Sequence, residues 1–279
     1  MEHQMWFGTR EKMRWILCPA VEMDSPSLGW GSQTDFLSGR AHVRRSNSDH
    51  REFTMAWNMK SREDLRPIMD YAKGHYGRGL IYWGDPFTMD ANMLNDQWAT
   101  PWLGATDGLI LDGKDARPEL VKTPQNDYGY PVDSVRYNVD TTTSKPSIWI
   151  PAPPDYVLWV GAHGQDGTGG KVVVTPTTGA TTYSTAVTLT TMGVDENRVN
   201  ASFDSADFTG IEVSLGGAGT ITLSGLIVQA LPRGAEPSTG DFISGQGHSG
   251  CKFYPMPSFT PYSAALDKVS MAATLVESD

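Results

Sequence analysis

The chain has 279 residues and a mass of 30.5 kDa, enough for two hydrophobic cores or for one domain that carries an insertion. Its formal net charge is -10 and its isoelectric point is about 5.0. This acidic balance argues against sequence-specific nucleic-acid binding, which needs a basic footprint, although a genome can pass along such a surface without sticking to it.

The stretch "REFTMAWNM" (51–59) predicts a β-strand. Its large apolar residues occupy every second position, which places Phe53, Met55, Trp57 and Met59 on one face. We therefore expect this strand to bury one side against a core.

A helix is predicted directly after this strand. Its apolar residues recur at the i, i+3, i+4, i+7 spacing of one buried stripe: Leu65, Ile68, Met69 and Ala72. Pro67 has no N–H and is tolerated best in the first turn, which favours Asp64 over Ser61 as the N-cap. Gly74 predicts the end of the helix, and "GLIYW" (79–83) then predicts another strand, broken by "GDP".

The block 144–234 has a different composition from its flanks. It contains 11 charged residues in 91, whereas the other 188 residues contain 43. Short β-branched runs separated by Gly, Pro and Asp predict strands at "SIWIP", "YVLWVGA", "KVVVTP", "AVTLTT", "IEVSL" and "TITLSGLIVQAL". In "IEVSL" the residues Ile211, Val213 and Leu215 share one face. This pattern predicts a β-sandwich or jelly roll.

The C-terminal stretch "ALDKVSMAATLVESD" predicts one more strand, with Val269, Met271, Ala273 and Leu275 on its apolar face. A lone strand is not stable and must pair elsewhere, and we expect its partner to be the strand at 51–59. Residues 1–143 plus 235–279 would then form one discontinuous domain, with 144–234 inserted as a second sandwich.

Cofactor and metal motifs are not evident in the sequence. The six histidines never fall at a metal-ligand spacing, and no P-loop, dinucleotide fingerprint or zinc motif is present. Cys18 and Cys251 are far apart in the chain, which favours two thiols over a disulfide framework. No segment approaches the roughly 18 consecutive apolar residues of a membrane span, and charges interrupt the apolar stretches of the N-terminus, unlike in a signal peptide.

The run "SGQGHSGCKF" (244–253) is similar to the G-x-S-x-G nucleophile elbow of hydrolases, with Ser249 at the nucleophile position. Cys251 replaces the last glycine, and prolines at 255, 257 and 261 exclude the helix that must follow the serine. We therefore predict that Ser249 is not catalytic and that the protein is not an enzyme.

The order of these segments resembles the minor tail proteins of long-tailed phages that infect actinobacteria, and more broadly the distal tail protein family. The matching segments are "FTMAWNM", "DLRPIMDYAKG", "GLIYWGDP", "NMLNDQWATPW", "GQGHSGCKF" and "AATLVES". The resemblance covers nearly the whole chain and rests on order rather than on a strict motif. It implies a mainly β fold: a β-sandwich ring domain with one helix, similar to the tail-tube fold, and an inserted sandwich similar to carbohydrate-binding modules.

The resemblance also implies partners and a location. The chain would form a ring, as a hexamer, at the tip of a non-contractile tail in the virion, after assembly in the host cytoplasm. Its partners would be further copies of itself, the tail tube protein and the tip hub or baseplate proteins. The glycine-rich run 244–253 would be the return from the inserted sandwich to the ring domain, with its glycines there for backbone bends.

Aromatic residues supply the candidate binding sites. Trp83, Trp98 and Trp102 lie in a tryptophan-rich stretch and are candidates for the ring interface, since aromatic residues are enriched at interface cores; the alternative is that they pack inside their own domain. Trp149 and Trp159 alternate away from the predicted core and, with Tyr183, are candidates to stack on a host cell-wall glycan, unless another sheet or the ring domain covers them.

Two other function classes stay open beside the structural one. The chain would be a carbohydrate-binding protein without a tail role if the second sandwich acts alone. It would be a glycoside hydrolase if two carboxylates, such as Asp204 and Glu212, face each other across a cleft, although Glu212 fits a solvated strand face equally well. Asp166 in "HGQDGTGG" is a possible calcium ligand, but a Gly/Asp turn explains it as well.

Overall fold

A computed structural model describes the fold over residues 4–19, 31–35, 41–45, 51–84, 89–99, 119–122, 133–139, 147–165, 170–178, 181–182, 187–189, 199–204, 208–237, 245, 247–263 and 267–278. Most of these residues lie in strands, which form two large units and one small hairpin. The protein is therefore mainly β, as predicted.

The first unit is a seven-stranded antiparallel sheet with one helix. Its strands are β1 (Gln4–Thr9), β2 (Lys12–Leu17), β5 (Glu52–Ser61), β6 (Ile81–Gly84), β17 (Cys251–Phe253), β18 (Ser258–Ser263) and β19 (Lys268–Glu277). The helix is α1 (Arg62–Ala72). A separate hairpin consists of β3 (Gly31–Asp35) and β4 (Ala41–Arg45).

Strand β19 is the centre of the first sheet. One edge pairs with β5 over almost its whole length, and the other edge pairs first with β18 and then with β17. The apolar residues predicted for its buried face, Val269, Met271, Ala273 and Leu275, are all at most 2% exposed. The prediction that the C-terminal strand pairs with the strand at 51–59 is confirmed.

The first sheet curls until its ends meet. From β5 the order runs through β19, β17, β6 and β1 to β2, a span of about 24 Å in a flat sheet with strands 4.8 Å apart. The indole N–H of Trp57 on β5 nevertheless donates to the carbonyl of Leu17 on β2 at 3.0 Å. Helix α1 contributes Leu65, Ile68 and Tyr71 to the core that the curl encloses.

Met59 departs from the predicted strand face. A β-bulge places Asn58 and Met59 together opposite Ser270, because Trp57 pairs with Met271 while Lys60 already pairs with Val269. Met59 has φ 54 and is 50% exposed, whereas Phe53, Met55 and Trp57 are buried. The prediction that Met59 shares their face is wrong, since the extra residue of the bulge reverses the alternation after Trp57.

The caps of α1 correct one prediction and confirm another. Ser61, not Asp64, is the N-cap, and its hydroxyl accepts from the Asp64 N–H. Pro67 therefore lies inside the helix rather than in its first turn. Gly74 ends the helix with φ 74, and its N–H donates to the Tyr71 carbonyl in a Schellman arrangement, as the sequence predicts.

The second unit is a sandwich of two antiparallel sheets. The first of its sheets contains β7 (Glu119–Lys122), β8 (Asp133–Val139), β10 (Tyr156–Gln165), β14 (Val199–Asp204) and β16 (Gly219–Pro232). The other contains β9 (Ser147–Pro151), β11 (Gly170–Thr178), β12 (Thr181–Thr182), β13 (Val187–Leu189) and β15 (Gly210–Gly217). The short helix α2 (Asp96–Ala99) packs on this unit.

The core between these two sheets follows the predicted alternation. Ile211, Val213 and Leu215 of β15 are fully buried, and Leu158 and Val160 of β10 face them from the opposite sheet. The sandwich predicted for the middle of the chain is therefore present.

The boundary predicted at residue 144 falls too late. Strand β8 pairs with β16 and β7 pairs with β8, so two strands before residue 144 belong to the second sandwich. The segment 89–99 also contributes Met89, Leu94 and Trp98 to its core. The boundary was predicted at residue 144 because the density of charged residues changes there. The strand pairing of the second sandwich nevertheless begins earlier in the chain, at β7.

Candidate functional site

The segment around Ser249 leads into a strand. Residues 251–253, just after Ser249, form strand β17, whereas a nucleophile elbow requires a helix after the serine. The backbone N–H of Ser249 donates to Glu277 Oε1 at 2.9 Å. His248 Nδ1 lies 2.7 Å from the Ser249 carbonyl oxygen. Because a carbonyl oxygen only accepts, Nδ1 carries the hydrogen and donates a hydrogen bond to it.

Glu277 and Arg51 anchor this return segment to the rest of the first sheet. Glu277 is 7% exposed. Its carboxylate accepts a hydrogen bond from the Arg51 backbone N–H at 2.9 Å and another from the Arg51 guanidinium at 3.1 Å. The guanidinium also donates to the carbonyl of Gly247. One ion pair thus joins the beginning of β5, the end of β19 and the return segment.

His248 is part of an aromatic cluster. Its ring stacks on Trp83 with centroids 3.5 Å apart, and Phe53 contacts it edge-on at 5.3 Å. Burial lowers the pKa of His248 to about 4, against the opposing effect of its hydrogen bond to the Ser249 carbonyl. The imidazole is therefore neutral at pH 7 and contributes to packing.

The glycines of the return segment permit close backbone approach. A Cβ on Gly247 would overlap the Met93 carbonyl, and one on Gly245 would lie 2.5 Å from the Leu94 oxygen. The N–H of Gly247 donates to the Leu94 carbonyl at 2.9 Å. Both glycines therefore make room for the segment 93–95.

Trp149 points away from its own core, as predicted, but another part of the chain covers it. The residue is 1% exposed and packs with Tyr82 and Met13 of the first unit. Its indole N–H donates to the Thr177 hydroxyl at 2.7 Å, and its ring lies over Gly210, where a Cβ would clash. The predicted glycan platform at Trp149 is therefore wrong, since the first unit covers that face.

Trp149 lies at the junction between the two units. Its ring meets Tyr82 edge-on at 4.6 Å, and the Arg10 guanidinium lies 5.6 Å from the Trp149 ring and 5.7 Å from the Tyr82 ring. The Thr209 hydroxyl donates to the Arg10 carbonyl at 3.1 Å. The turn between β1 and β2 is thus fixed against the second sandwich.

Trp159 differs from Trp149 in being partly exposed. It lies on β10 opposite the core residues Leu158 and Val160, and its indole nitrogen is buried without a hydrogen-bond partner among the described residues. It is the glycan candidate whose position the structure leaves accessible. Tyr183 and Asp166 lie outside the described residues.

The tryptophans predicted for a ring interface are core residues where the structure describes them. Trp83 is 3% exposed and stacks on Phe7 with centroids 6.4 Å apart, and Trp98 is 5% exposed within the core of the second sandwich. The interface prediction for these two is corrected, because their rings are already covered within the chain. Trp102 lies outside the described residues.

Asn92 is a structural residue that sequence reasoning missed. Where β8 ends, the edge of β16 would be open, and Asn92 closes it: its side chain donates to the Leu226 carbonyl at 3.0 Å and accepts from the Val228 N–H at 3.1 Å. Met93 adds a backbone hydrogen bond to the Val228 carbonyl at 2.8 Å. An asparagine between two apolar residues is the only sequence signal, and it is shared by many turns.

The remaining candidates lie apart. Glu212 is on β15 of one sheet and Asp204 is the last residue of β14 in the opposite sheet, so the two residues belong to different sheets. Over the described residues, no group of three His, Cys, Asp or Glu side chains is placed to hold a metal ion, and no helix is long and apolar enough to span a membrane. Cys18 and Cys251 are free thiols in this structure, and burial raises the pKa of the Cys251 thiol.

Comparisons with known proteins give structural likenesses at low identity. No family model and no curated protein matches the chain. Among solved structures, the enzymatically active domain of tailspike protein 4 of bacteriophage CBA120 is 12% identical with a TM-score of 0.38, over 50% of this chain and 21% of that one. The CBM22-1 xylan-binding domain of Paenibacillus barcinonensis Xyn10C is 12% identical with a TM-score of 0.30, over 51% of this chain and 97% of that one.

A third solved structure covers more of the chain. The infectious bursal disease virus Gx strain structure is 11% identical with a TM-score of 0.22, over 99% of this chain and 81% of that one. The chain spans about a fifth of the tailspike polypeptide that it matches. These likenesses concern β-rich architecture alone. The strands and cores described above define a mainly β protein of two units, the first of which includes the 11-residue helix α1.

Proposed function

We propose that the protein is a structural component of a phage virion, a distal or minor tail protein that forms a ring at the tip of a non-contractile tail. The observation that supports this is which segments of the chain form the first sheet. The strand at 52–61, helix α1, β6, the glycine-rich return and the closing strand β19 meet in one curled unit, although 166 residues separate β6 from β17 in the sequence. These are five of the six segments on which the resemblance to the distal tail family rests; the described part of the sixth, 92–99, packs in the second sandwich.

In this proposal the first unit builds the ring and the second sandwich lies beside it. The junction at Trp149, Tyr82 and Arg10 fixes the sandwich against the outer face of the first sheet, which suits a rigid peripheral domain. The partners would be further copies, the tail tube protein and the tip hub proteins. A contact with host cell-wall glycan, if made by this sandwich, would use the surface around Trp159.

The role we propose is structural rather than catalytic. Ser249→Ala should leave oligomeric mass and thermal stability unchanged, because the interactions seen at this residue use its backbone N–H and carbonyl. The wild-type protein should not react with a fluorophosphonate probe, and covalent labelling of Ser249 would contradict the assignment.

The direct test is the solution mass of the purified chain together with electron microscopy. A closed ring, with a mass of about six chains, is the expected result. A protein that stays at the 30.5 kDa of one chain over all concentrations would overturn the ring proposal. Rings of another order would keep the structural role and correct the hexamer.

A further inference from the structure

Three large apolar side chains of the described residues are strongly exposed, and all three belong to the first unit. Met59 is 50% exposed, Met256 is 56% exposed and Tyr254 is 75% exposed. Met59 precedes the first turn of α1, whereas Met256 lines a groove beside its last turn. The helix is about 16 Å long at 1.5 Å per residue, so these two apolar features lie near its opposite ends.

Met59 is held outward at a cost in backbone energy. Its φ of 54 lies in the left-handed region, which costs an L-residue other than glycine on the order of 1 kcal/mol. Half of the side chain still faces solvent, so burial within the single chain offsets only part of this cost. The stability of the single chain therefore does not account for a methionine at this position.

The groove at the other end of the helix has a volume of about 330 Å³. Its apolar wall consists of Tyr71, Ile81, Cys251 and Phe253, with Met256 at the surface. Three exposed cations also line it: Lys73, Arg78 and Lys252. A space of this size with an apolar wall fits one or two large side chains.

Charge makes this groove distinct in an acidic protein. The three cations form no ion pair within the described part of the chain, and the net charge of the whole chain is -10. The Glu11 carboxylate lies against Gly77 at the groove, which leaves an excess of positive charge. An occupant that combines an apolar side chain with carboxylates would complement both properties.

The surface beside Met59 has this combination. Glu63 and Asp64 are exposed in the first turn of α1, directly after the bulge. The neighbouring Arg62 lies 3.9 Å from Asp267, so its charge is partly compensated. We propose that Met59 of one copy inserts into the groove of a second copy, with Glu63 and Asp64 facing the Lys73, Arg78 and Lys252 side chains.

This contact is heterologous, because it joins two different surfaces of the same chain. Repetition of a heterologous contact closes into a ring or continues as a filament, whereas an isologous contact stops at a dimer. The inference rests on the proposed ring and names the surfaces that would build it. The strained methionine and the basic groove would then both be explained by the assembly.

The first experiment measures the mass of full-length variants by light scattering. Met59→Gly removes the side chain and relieves the left-handed strain, so we expect loss of the ring with an unchanged or raised melting temperature. Arg78→Glu with Lys252→Glu should also give single chains. The matched control is Arg233→Glu with Lys171→Glu, which makes the same charge change on the second sandwich and should still form rings.

The second experiment mixes the two defective variants. Met59→Gly retains an intact groove, and Arg78→Glu with Lys252→Glu retains an intact Met59. An equimolar mixture should therefore form 1:1 dimers by native mass spectrometry, although each variant alone is a single chain. A mixture that stays as single chains would overturn the inference, and so would variants that each form rings on their own.

The outcomes separate this inference from the proposed function. If the wild-type protein forms rings and Met59→Gly forms them equally well, the contact is wrong and the ring proposal stands. If the wild type never exceeds one chain, both fail. If the groove variants keep the ring but lose binding to a poly(glycerol phosphate) probe that the wild type binds, the groove serves an anionic polymer and the contact with a second copy is excluded.

Discussion

Glu277 lies where three segments of the chain meet, and its loss should affect them together. Glu277→Gln keeps the shape of the side chain but leaves the mostly buried Arg51 guanidinium without its counter-charge. Breaking one side of such a pair destabilises a protein by about 3 kcal/mol, which urea unfolding would measure. Arg66→Ala removes the exposed pair with Asp70 and should change the free energy of unfolding by less than about 1 kcal/mol. Equal effects of the two variants would contradict the anchoring role of Glu277.

His248 should make stability depend on pH. Its pKa is lowered from 6.5 to about 4 in the folded protein, mainly by burial. The unfolded chain therefore binds more protons than the folded chain between these values, and the free energy of unfolding should fall as the pH drops from 6.5 towards 4. His248→Phe keeps a ring against Trp83 and removes the titrating group, so its melting temperature should fall less over this range. Parallel curves for the two proteins would rule out His248 as the cause.

Among the secondary-structure elements, helix α1 has a different N-cap in the structure, Ser61, from the one the sequence predicts, Asp64. Ser61→Ala removes the hydroxyl that accepts from the Asp64 N–H and should lower the free energy of unfolding by about 1 kcal/mol. Thermal or urea unfolding would measure it. Ser61→Asp, which keeps an acceptor, is the matched control and should retain most of the stability. A neutral Ser61→Ala would show that another residue caps the helix.

The strands also show how far periodicity reaches. Alternation predicted the apolar faces of β5, β15 and β19, because the period of two fixes which residues face a core. The partner of β19 was predicted on a different ground, that a lone strand must pair elsewhere. Alternation failed at Met59, since a single inserted residue reverses every later position of a strand. Nothing in "WNMKS" distinguishes a bulge from a regular strand.

At the scale of the whole molecule, the extent of the second sandwich makes a prediction about fragments. Residues 86–234 contain all strands of the sandwich and the segment that covers the edge of β16, so this fragment should be soluble and unfold cooperatively. Residues 144–234 lack β7, β8 and Asn92, which leaves β16 with an unpaired edge and removes core side chains such as Tyr137 and Trp98. This shorter fragment should aggregate or give a disordered circular dichroism spectrum. Cooperative unfolding of 144–234 would restore the boundary predicted from composition.

The two units are joined by packing that sequence patterns do not report. Trp149 alternates outward from its sandwich, as an exposed aromatic platform would. It is buried because Tyr82 and Met13 of the first unit cover its ring. Trp83 and Trp98 are likewise of a residue type that is enriched at interfaces, yet both are buried within the chain. In each case the side-chain direction was predictable and the identity of the covering surface was not.

The fold class, the positions of most described strands and helix α1 were predictable from the amino-acid order, because these depend on local periodicity and on turn residues. The sequence also determined that Ser249 precedes no helix, since the prolines that follow forbid one. The tertiary structure decided the bulge at Met59, the Arg51–Glu277 anchor, the role of Asn92 at the edge of β16 and the start of the second sandwich before residue 144. These features depend on contacts between residues distant in the chain, and such contacts leave no periodic signal in the amino-acid order.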